Sequence, residues 1–214
     1  MTIFASDTFT GTPTTELSAY NASWVQDGSF STAHIGTEAG TYAVAYQSLE
    51  SVYRYTVTPP SADYSVFGTI STLASAGGYE YGVLGRCAAA ALTWYRATYD
   101  NQNSRVRLFK YVAGSQTQLG VDVSATIGIG ASKSLELRMT GTAIALYLDS
   151  VLQISATDSD VTAAGVPGIY LSNGRITGVN DTGGMLDWSA AAAGGGGFFA
   201  RPYYDMIAQS RMGA

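Results

Sequence analysis

The chain of 214 residues holds one cysteine, one histidine and two lysines, and each scarcity excludes something. Cys87 has no partner for an intramolecular disulfide, so the fold must rest on its own core rather than on a bridged framework. Cys87 also stands in an apolar stretch, where it reads as a small buried hydrophobe. His34 alone cannot build a histidine-rich zinc site, and Cys87 has no second thiol to join it. A Ser-His-Asp site would have to use His34, yet the chain contains no Gly-x-Ser-x-Gly elbow. Charged residues make up 13%, about half the ordinary share, so Ser, Thr, Gly, Ala, Asn and Tyr must cover much of the surface. The net charge is −5 and Lys110 and Lys133 are far apart. No nucleic-acid partner is expected, because phosphate binding needs clustered cations. Nor is membrane insertion, since no run of 18 apolar residues occurs. Met1 to Asp7 lack the basic and apolar pattern of a signal peptide. The expectation is a protein that either stays in the cytoplasm or leaves by a route other than signal-directed secretion, such as cell lysis.

What the chain has in quantity is short β-type runs punctuated by Gly, Pro, Asn, Asp and Ser. The clearest cover residues 41–47, 51–58, 63–72, 79–86, 91–99, 104–112, 133–140, 142–149 and 151–156. Weaker ones lie near 3–9, 22–34, 168–172 and 184–189. Several alternate with period two, which gives a strand one core face and one outer face. Val106 and Leu108 oppose Arg105 and Arg107. Leu135, Leu137 and Met139 alternate with Glu136, Arg138 and Thr140. Ile144, Leu146 and Leu148 alternate with Ala143, Ala145 and Tyr147. Turns at Thr140-Gly141-Thr142 and Asp149-Ser150 join 133–156 into a meander. No segment before residue 190 has convincing helical periodicity. The predicted fold class is all-β: a two-sheet antiparallel sandwich closing one core.

Composition shifts at residue 190. Ala190 to Ala193 and Gly194 to Gly197 form a low-complexity tract that reads as a hinge over 190–197. The expected organisation is therefore a sandwich over 1–189, the hinge, and an arm over 198–214. The arm carries Phe198, Phe199, Arg201, Tyr203, Tyr204 and Ile207. Four aromatics in seven residues are unusual for a free tail, because exposing them to water is unfavourable. The arm either folds back on its own domain or docks on another subunit or protein, and the glycines favour docking. Pro202 is suitably placed to open a short helix over 203–211.

Catalytic apparatus is hard to find. A sandwich glucanase would carry two carboxylates at alternate strand positions. Two residues after Glu16, Glu38, Glu50, Glu80 and Glu136 stand Ser18, Gly40, Val52, Gly82 and Arg138, none of them Asp. Gly128 to Ser134 imitates a phosphate loop, but it lacks the Gly before Lys133 and reads as a turn entering a strand. Asp158 and Asp160 space oxygen ligands as calcium loops do, although Ala163 replaces the bending glycine; they are weak calcium candidates that read first as a solvated turn, and no other cofactor is expected. Asp100-Asn101-Gln102-Asn103 is a second oxygen-rich turn. Fifteen tyrosines and three tryptophans remain as binding material. Trp94 and Tyr95 point to opposite faces of one strand, next to Arg96. Arg86, Tyr95, Arg96 and Arg107 are the candidate residues for a glycan or protein partner.

In order, the chain presents Asp7-Thr8-Phe9, Leu17 and Trp24; Ala62 to Val66; Tyr81 to Arg86; Arg105 to Leu108 and Leu119-Gly120. Leu135-Glu136-Leu137, Gly141, Ile144 and Tyr147-Leu148-Asp149 follow, then Asp158, Gly165 to Ile169 and Leu186-Asp187-Trp188. This ordered set resembles the concanavalin A-like lectin/glucanase superfamily in its laminin-G-like form, over nearly all of residues 4–189. The resemblance implies a jelly-roll sandwich that binds ligands on one sheet or its rim loops, and it does not imply catalysis. Ser150 departs from the glycine usual after that Asp, which suggests a different hairpin there. A low-charge domain with a docking-like arm is also similar to phage virion proteins. By that analogy the chain is a head or tail decoration or fibre-like component. It would be held to other virion proteins by residues 198–214, present in many copies, and would display a lectin-like domain to host-surface glycans. A lectin-like module unconnected with a virion is the alternative, and a hydrolase with atypical carboxylates a remote one.

Overall fold

The computed structural model describes residues 2–28, 30–36, 43–45, 50–72, 79–88, 91–172 and 183–193. These residues form β1 (Ile3–Asp7), α1 (Leu17–Tyr20), β2 (Trp24–Gln26), β3 (Ala33–Ile35), β4 (Ala43–Ala45), β5 (Glu50–Tyr55), β6 (Tyr64–Thr72) and β7 (Glu80–Cys87). They continue with β8 (Trp94–Asp100), β9 (Arg105–Val112), β10 (Ser115–Gln118), β11 (Val123–Ser124), β12 (Ser132–Thr140), β13 (Ala143–Leu148), β14 (Val151–Thr157), β15 (Val166–Ser172) and β16 (Gly183–Ala192). The first sheet has the order β14-β13-β12-β6-β16-β4-β3, with β1 added to β16. The second has the order β10-β9-β8-β7-β15-β5-β2, with β11 added to β9. Every pairing is antiparallel, as a sandwich with one core between its sheets requires.

The alternation read from the sequence decides which side chains meet. Leu135, Leu137 and Met139 of β12 and Ile144 and Leu146 of β13 are buried, and they share one cluster with Val83, Ala97, Val106 and Leu108 of the second sheet. Gly85 shows how closely the sheets approach: a Cβ there would lie 2.3 Å from Met139 Cε. One end of the sandwich is filled by aromatics. The Trp24 ring lies 4.9 Å from both Tyr55 and Trp188 and 5.7 Å from Phe9, centroid to centroid. Asp7 organises this end. Its buried carboxylate accepts from Trp24 Nε1 (2.8 Å), Asn21 Nδ2 (3.0 Å), the Tyr20 hydroxyl (2.8 Å) and the Phe9 amide (2.8 Å). A carboxylate with four donors is fully compensated for leaving water.

Three local expectations change. Leu17–Tyr20 forms a single helical turn that is too short to show periodicity. Asp149 and Ser150 both adopt the left-handed conformation, at φ 49° and 67°. The tight two-residue turn is thus kept, with serine in a position that glycine occupies more easily. The last strand runs to Ala192, three residues past the expected domain end. Ala190 to Ala192 pair with Tyr64–Val66 of β6, and Ala190 and Ala191 are buried. Those three residues belong to the sheet and not to the hinge. The rest of the hinge and the docking arm, Phe198, Phe199, Arg201, Tyr203, Tyr204 and Ile207 included, lie outside the described residues.

Candidate functional site on the outer face of the second sheet

Directly paired residues share a face, so the registers of the second sheet define a grid. One outer row holds Arg54, Gly168, Leu84, Arg96, Phe109 and Gln118. The next holds Val52, Tyr170, Gly82, Thr98 and Arg107. A third holds Glu50, Ser172, Glu80, Asp100 and Arg105, and Trp94, Tyr111 and Gln116 lie on the opposite flank of the first. The centre of this face is buried: Val52, Leu84, Trp94, Arg96, Thr98 and Tyr170 are each at most 5% exposed. Its β9–β10 side is open, with Arg105, Arg107 and Tyr111 half-buried and Gln116 and Gln118 exposed.

Charge on the face is mostly paired. Arg54 meets Asp27 at 3.0 Å, Arg107 meets Glu80 at 2.9 Å and Asp100 at 3.4 Å, and Arg105 meets Asp100 at 2.9 Å and also Asp122. Burial pushes the Asp100 carboxyl up, but hydrogen bonds from Asn103 and Arg105 and the charge of Arg107 outweigh it and hold the group below the usual carboxylate value. Tyr170 donates to Glu50 at 2.6 Å, and burial raises its phenol well above the ordinary value. Trp94 stacks on Tyr111 at 4.8 Å and 6°. Arg96 lies over the rings of Tyr170 (4.0 Å to the centroid) and Phe109 (4.7 Å), and Arg107 also lies over the Phe109 ring (5.1 Å). Among the described residues six buried polar atoms of this face have no hydrogen-bond partner: Arg54 Nε and Glu80 Oε1, which are held in the ion pairs above, and Trp94 Nε1, Arg96 Nε, Thr98 Oγ1 and Arg107 Nε. Such groups are rare in folded proteins and call for an explanation.

The sequence-based candidates divide. Arg96 and Arg107 come together on this face. Arg86 does not join them. Its backbone adopts φ 52°, and its guanidinium donates to the carbonyls of Ala62, Val161 and Gly141, each at 2.9 Å, and to Asp63 at 3.3 Å. Arg86 is 1% exposed and clamps one end of the sandwich. Tyr95 is also removed from the binding surface. It faces the core, fully buried, and its hydroxyl donates to Asp158 Oδ1 at 2.7 Å. Trp94, its neighbour on the opposite face, is buried as well, so neither ring offers an open platform.

Asp158 and Asp160, the calcium candidates, are both engaged by Lys110, whose Nζ lies 2.5 Å from a carboxylate oxygen of each. A cation already stands between them, and calcium would have to displace it. Burial raises the Asp158 carboxyl, but the bonds from Lys110, Tyr95 and the Asp160 amide more than reverse this and leave it below the usual value. Among the described residues no group of three or more His, Cys, Asp or Glu could hold a metal ion. His34 sits in β3 with Nδ1 2.7 Å from the Thr14 carbonyl and Nε2 3.1 Å from Thr32 Oγ1. Cys87 is buried, and burial raises its thiol. Gln116 escaped the sequence reading because an exposed Ser-Gln-Thr-Gln strand has no apolar alternation to reveal it, whereas Tyr111 stands on β9, a strand the sequence does show, without being singled out there.

No protein-family model and no curated protein sequence matches the chain. Solved structures do. A Bacillus subtilis protein of unknown function with a galectin-like fold superposes with a TM-score of 0.65 at 9% identity, covering 89% of this chain and 96% of that one. The carbohydrate-binding module CBM66 of Bacillus subtilis gives 0.57 at 18% identity, covering 79% and 92%. The exoplasmic/lumenal domain of VIP36, in a form bound to Ca2+ and Man2, gives 0.56 at 11% identity, covering 94% and 91%. The chain therefore has the galectin-like and concanavalin A-like sandwich fold.

Proposed function

We propose that this domain is a non-catalytic carbohydrate-binding module whose glycan lies along β8, β9 and β10 on the outer face of the second sheet. The observation that carries this reading is the set of unpartnered polar atoms there, Trp94 Nε1, Arg96 Nε, Thr98 Oγ1 and Arg107 Nε, beneath an open rim of Arg105, Arg107, Tyr111 and Gln116. Sugar hydroxyls are directional donors and acceptors, and they are recognised by fixed polar groups next to aromatic rings. Two of the structures with the same fold are, by their names, a carbohydrate-binding module and a mannose-bound domain, which agrees with this reading. The test is a broad glycan array with the full chain, alongside Arg107→Ala, Arg105→Ala and a control, Arg138→Ala, on the other sheet. The first two substitutions should each weaken binding by about tenfold, the worth of one charge-assisted or well-oriented hydrogen bond, and the control should not. Silence across the array, or equal loss in the control, would overturn the proposal.

A second reading makes the same domain a virion component of a phage, present in many copies and held by residues 198–214. It rests on the aromatic arm that follows four glycines. Weak glycan contacts would then gain strength from copy number. Deleting residues 194–214 should abolish incorporation into particles while the sandwich stays folded; unchanged incorporation would remove this reading.

A further inference from the structure

We infer that the ligand of this face carries a carboxylate, as uronic and sialic sugars do, and that Arg96 receives it. The inference rests on the carbohydrate-binding reading and goes beyond it by naming the chemical class. Every other arginine described on the second sheet's outer face has an acidic partner: Arg54 has Asp27, Arg105 has Asp100 and Asp122, and Arg107 has Glu80 and Asp100. Among the described residues Arg96 has none, although it is only 5% exposed. A guanidinium cannot shed its proton to escape this position, and a buried charge without a counter-charge is unfavourable. The rings of Tyr170 and Phe109, at 4.0 and 4.7 Å, hold the cation from its faces but leave its in-plane donors unmatched.

Those donors have the geometry of a receptor. Nε and Nη2 lie on the same edge of the guanidinium and form the fork that takes a carboxylate with two parallel hydrogen bonds. Nε has no partner. Nη2 donates at 2.8 Å to Oε1 of Gln116, a neutral amide on the exposed strand β10. Gln116 therefore acts as a weak placeholder. A ligand carboxylate arriving over the open β9–β10 side displaces it, takes both donors and supplies the missing charge. Thr98 Oγ1, unpaired in the next row, is left for a hydroxyl of the same sugar.

The test uses the full chain and paired probes: polygalacturonate, alginate, hyaluronan and sialyllactose, each as the free acid and as its carboxyl methyl ester. At least one free acid should bind at least about tenfold more tightly than its ester, with affinity that falls as salt rises. Arg96→Gln should erase the difference between acid and ester. Because replacing a buried arginine risks the fold, Gln116→Glu is the second variant. It places a permanent carboxylate on the fork, so it should raise the melting temperature and abolish binding of the free acid. Equal binding of acid and ester overturns the inference and leaves the carbohydrate reading standing. Poly-L-glutamate binding as tightly as the best saccharide also overturns it, in favour of an acidic peptide. Binding of none of the probes, acid or ester, together with silence on the glycan array, overturns both. A Gln116→Glu variant that keeps full affinity for the free acid overturns the inference alone.

Discussion

Arg86 shows how far a single backbone angle can move a residue's role. Strand alternation places it outward with Gly82 and Leu84, which is why it reads as a surface cation in the sequence. The left-handed φ of 52° turns it instead into the end of the sandwich, where four acceptors take its donors. No pattern of residue types announces that angle. Replacing Arg86 by Met should leave three carbonyls, that of Val161 buried, short of a donor and Asp63 without its cation, and destabilise the domain by about 2–4 kcal/mol, measured by urea unfolding. Tyr95 and Trp94 teach a different lesson. Alternation assigned them to opposite faces correctly, but it cannot say whether an outer face is covered, and here both rings are buried. Ser150 is the opposite case: the sequence suggests a different hairpin there, yet the tight turn is kept with serine in the left-handed region. At φ 67° it holds a conformation that is unfavourable for an L-residue by about 1–2 kcal/mol. Ser150→Gly should therefore raise stability by about 0.5–1 kcal/mol once the greater freedom of glycine in the unfolded chain is subtracted.

The elements were legible where apolar and polar residues alternate, and illegible where nothing apolar marks a face. β9, β12 and β13 lie within a residue or so of their expected limits. β10 was missed because all four of its residues are exposed. β16 was cut short because a run of alanines looks like a linker, while in the sheet small side chains are what a closely packed strand accepts. A chain ending at Ala193 keeps every described pairing of β16 and is the reference for a shorter one. A chain ending at Ser189 loses the pairing of Ala190–Ala192 with β6 and of Ala190–Ala191 with β1 and should melt several degrees lower, as scanning calorimetry would show. The segment from Asp158 to Val161 is fixed by charge instead of by strand pairing, through Lys110 and Tyr95. Because the Asp158 carboxyl is held below its ordinary value in the folded state, its stabilisation is complete above about pH 4 and is lost as pH falls through the lowered value. Asp158→Asn should thus be less stable than the parent at pH 7, with the gap closing on acidification below about pH 4; a gap constant with pH would contradict this.

At the scale of the whole molecule, the two sheets divide their labour. One joint core between them holds the fold. The outer face of the second sheet keeps buried donors that the fold itself does not satisfy, and its β9–β10 side is open to reach them. The sequence made the sandwich readable through period-two alternation. It made half of the site readable, Arg96 and Arg107, because arginines on a strand beside aromatics invite that reading. The other half depends on which strands become neighbours across long stretches of chain, which local pattern does not encode. The central claim is that this face binds saccharide. Its most direct test is a titration with an array-selected glycan, followed through backbone amide and arginine Nε–H resonances of the full chain. The account predicts shifts concentrated on Arg96, Thr98, Arg107, Tyr111 and Gln116. Shifts centred on Arg138 and Tyr147 of the first sheet, or saturating glycan with no shifts on the second, would contradict it.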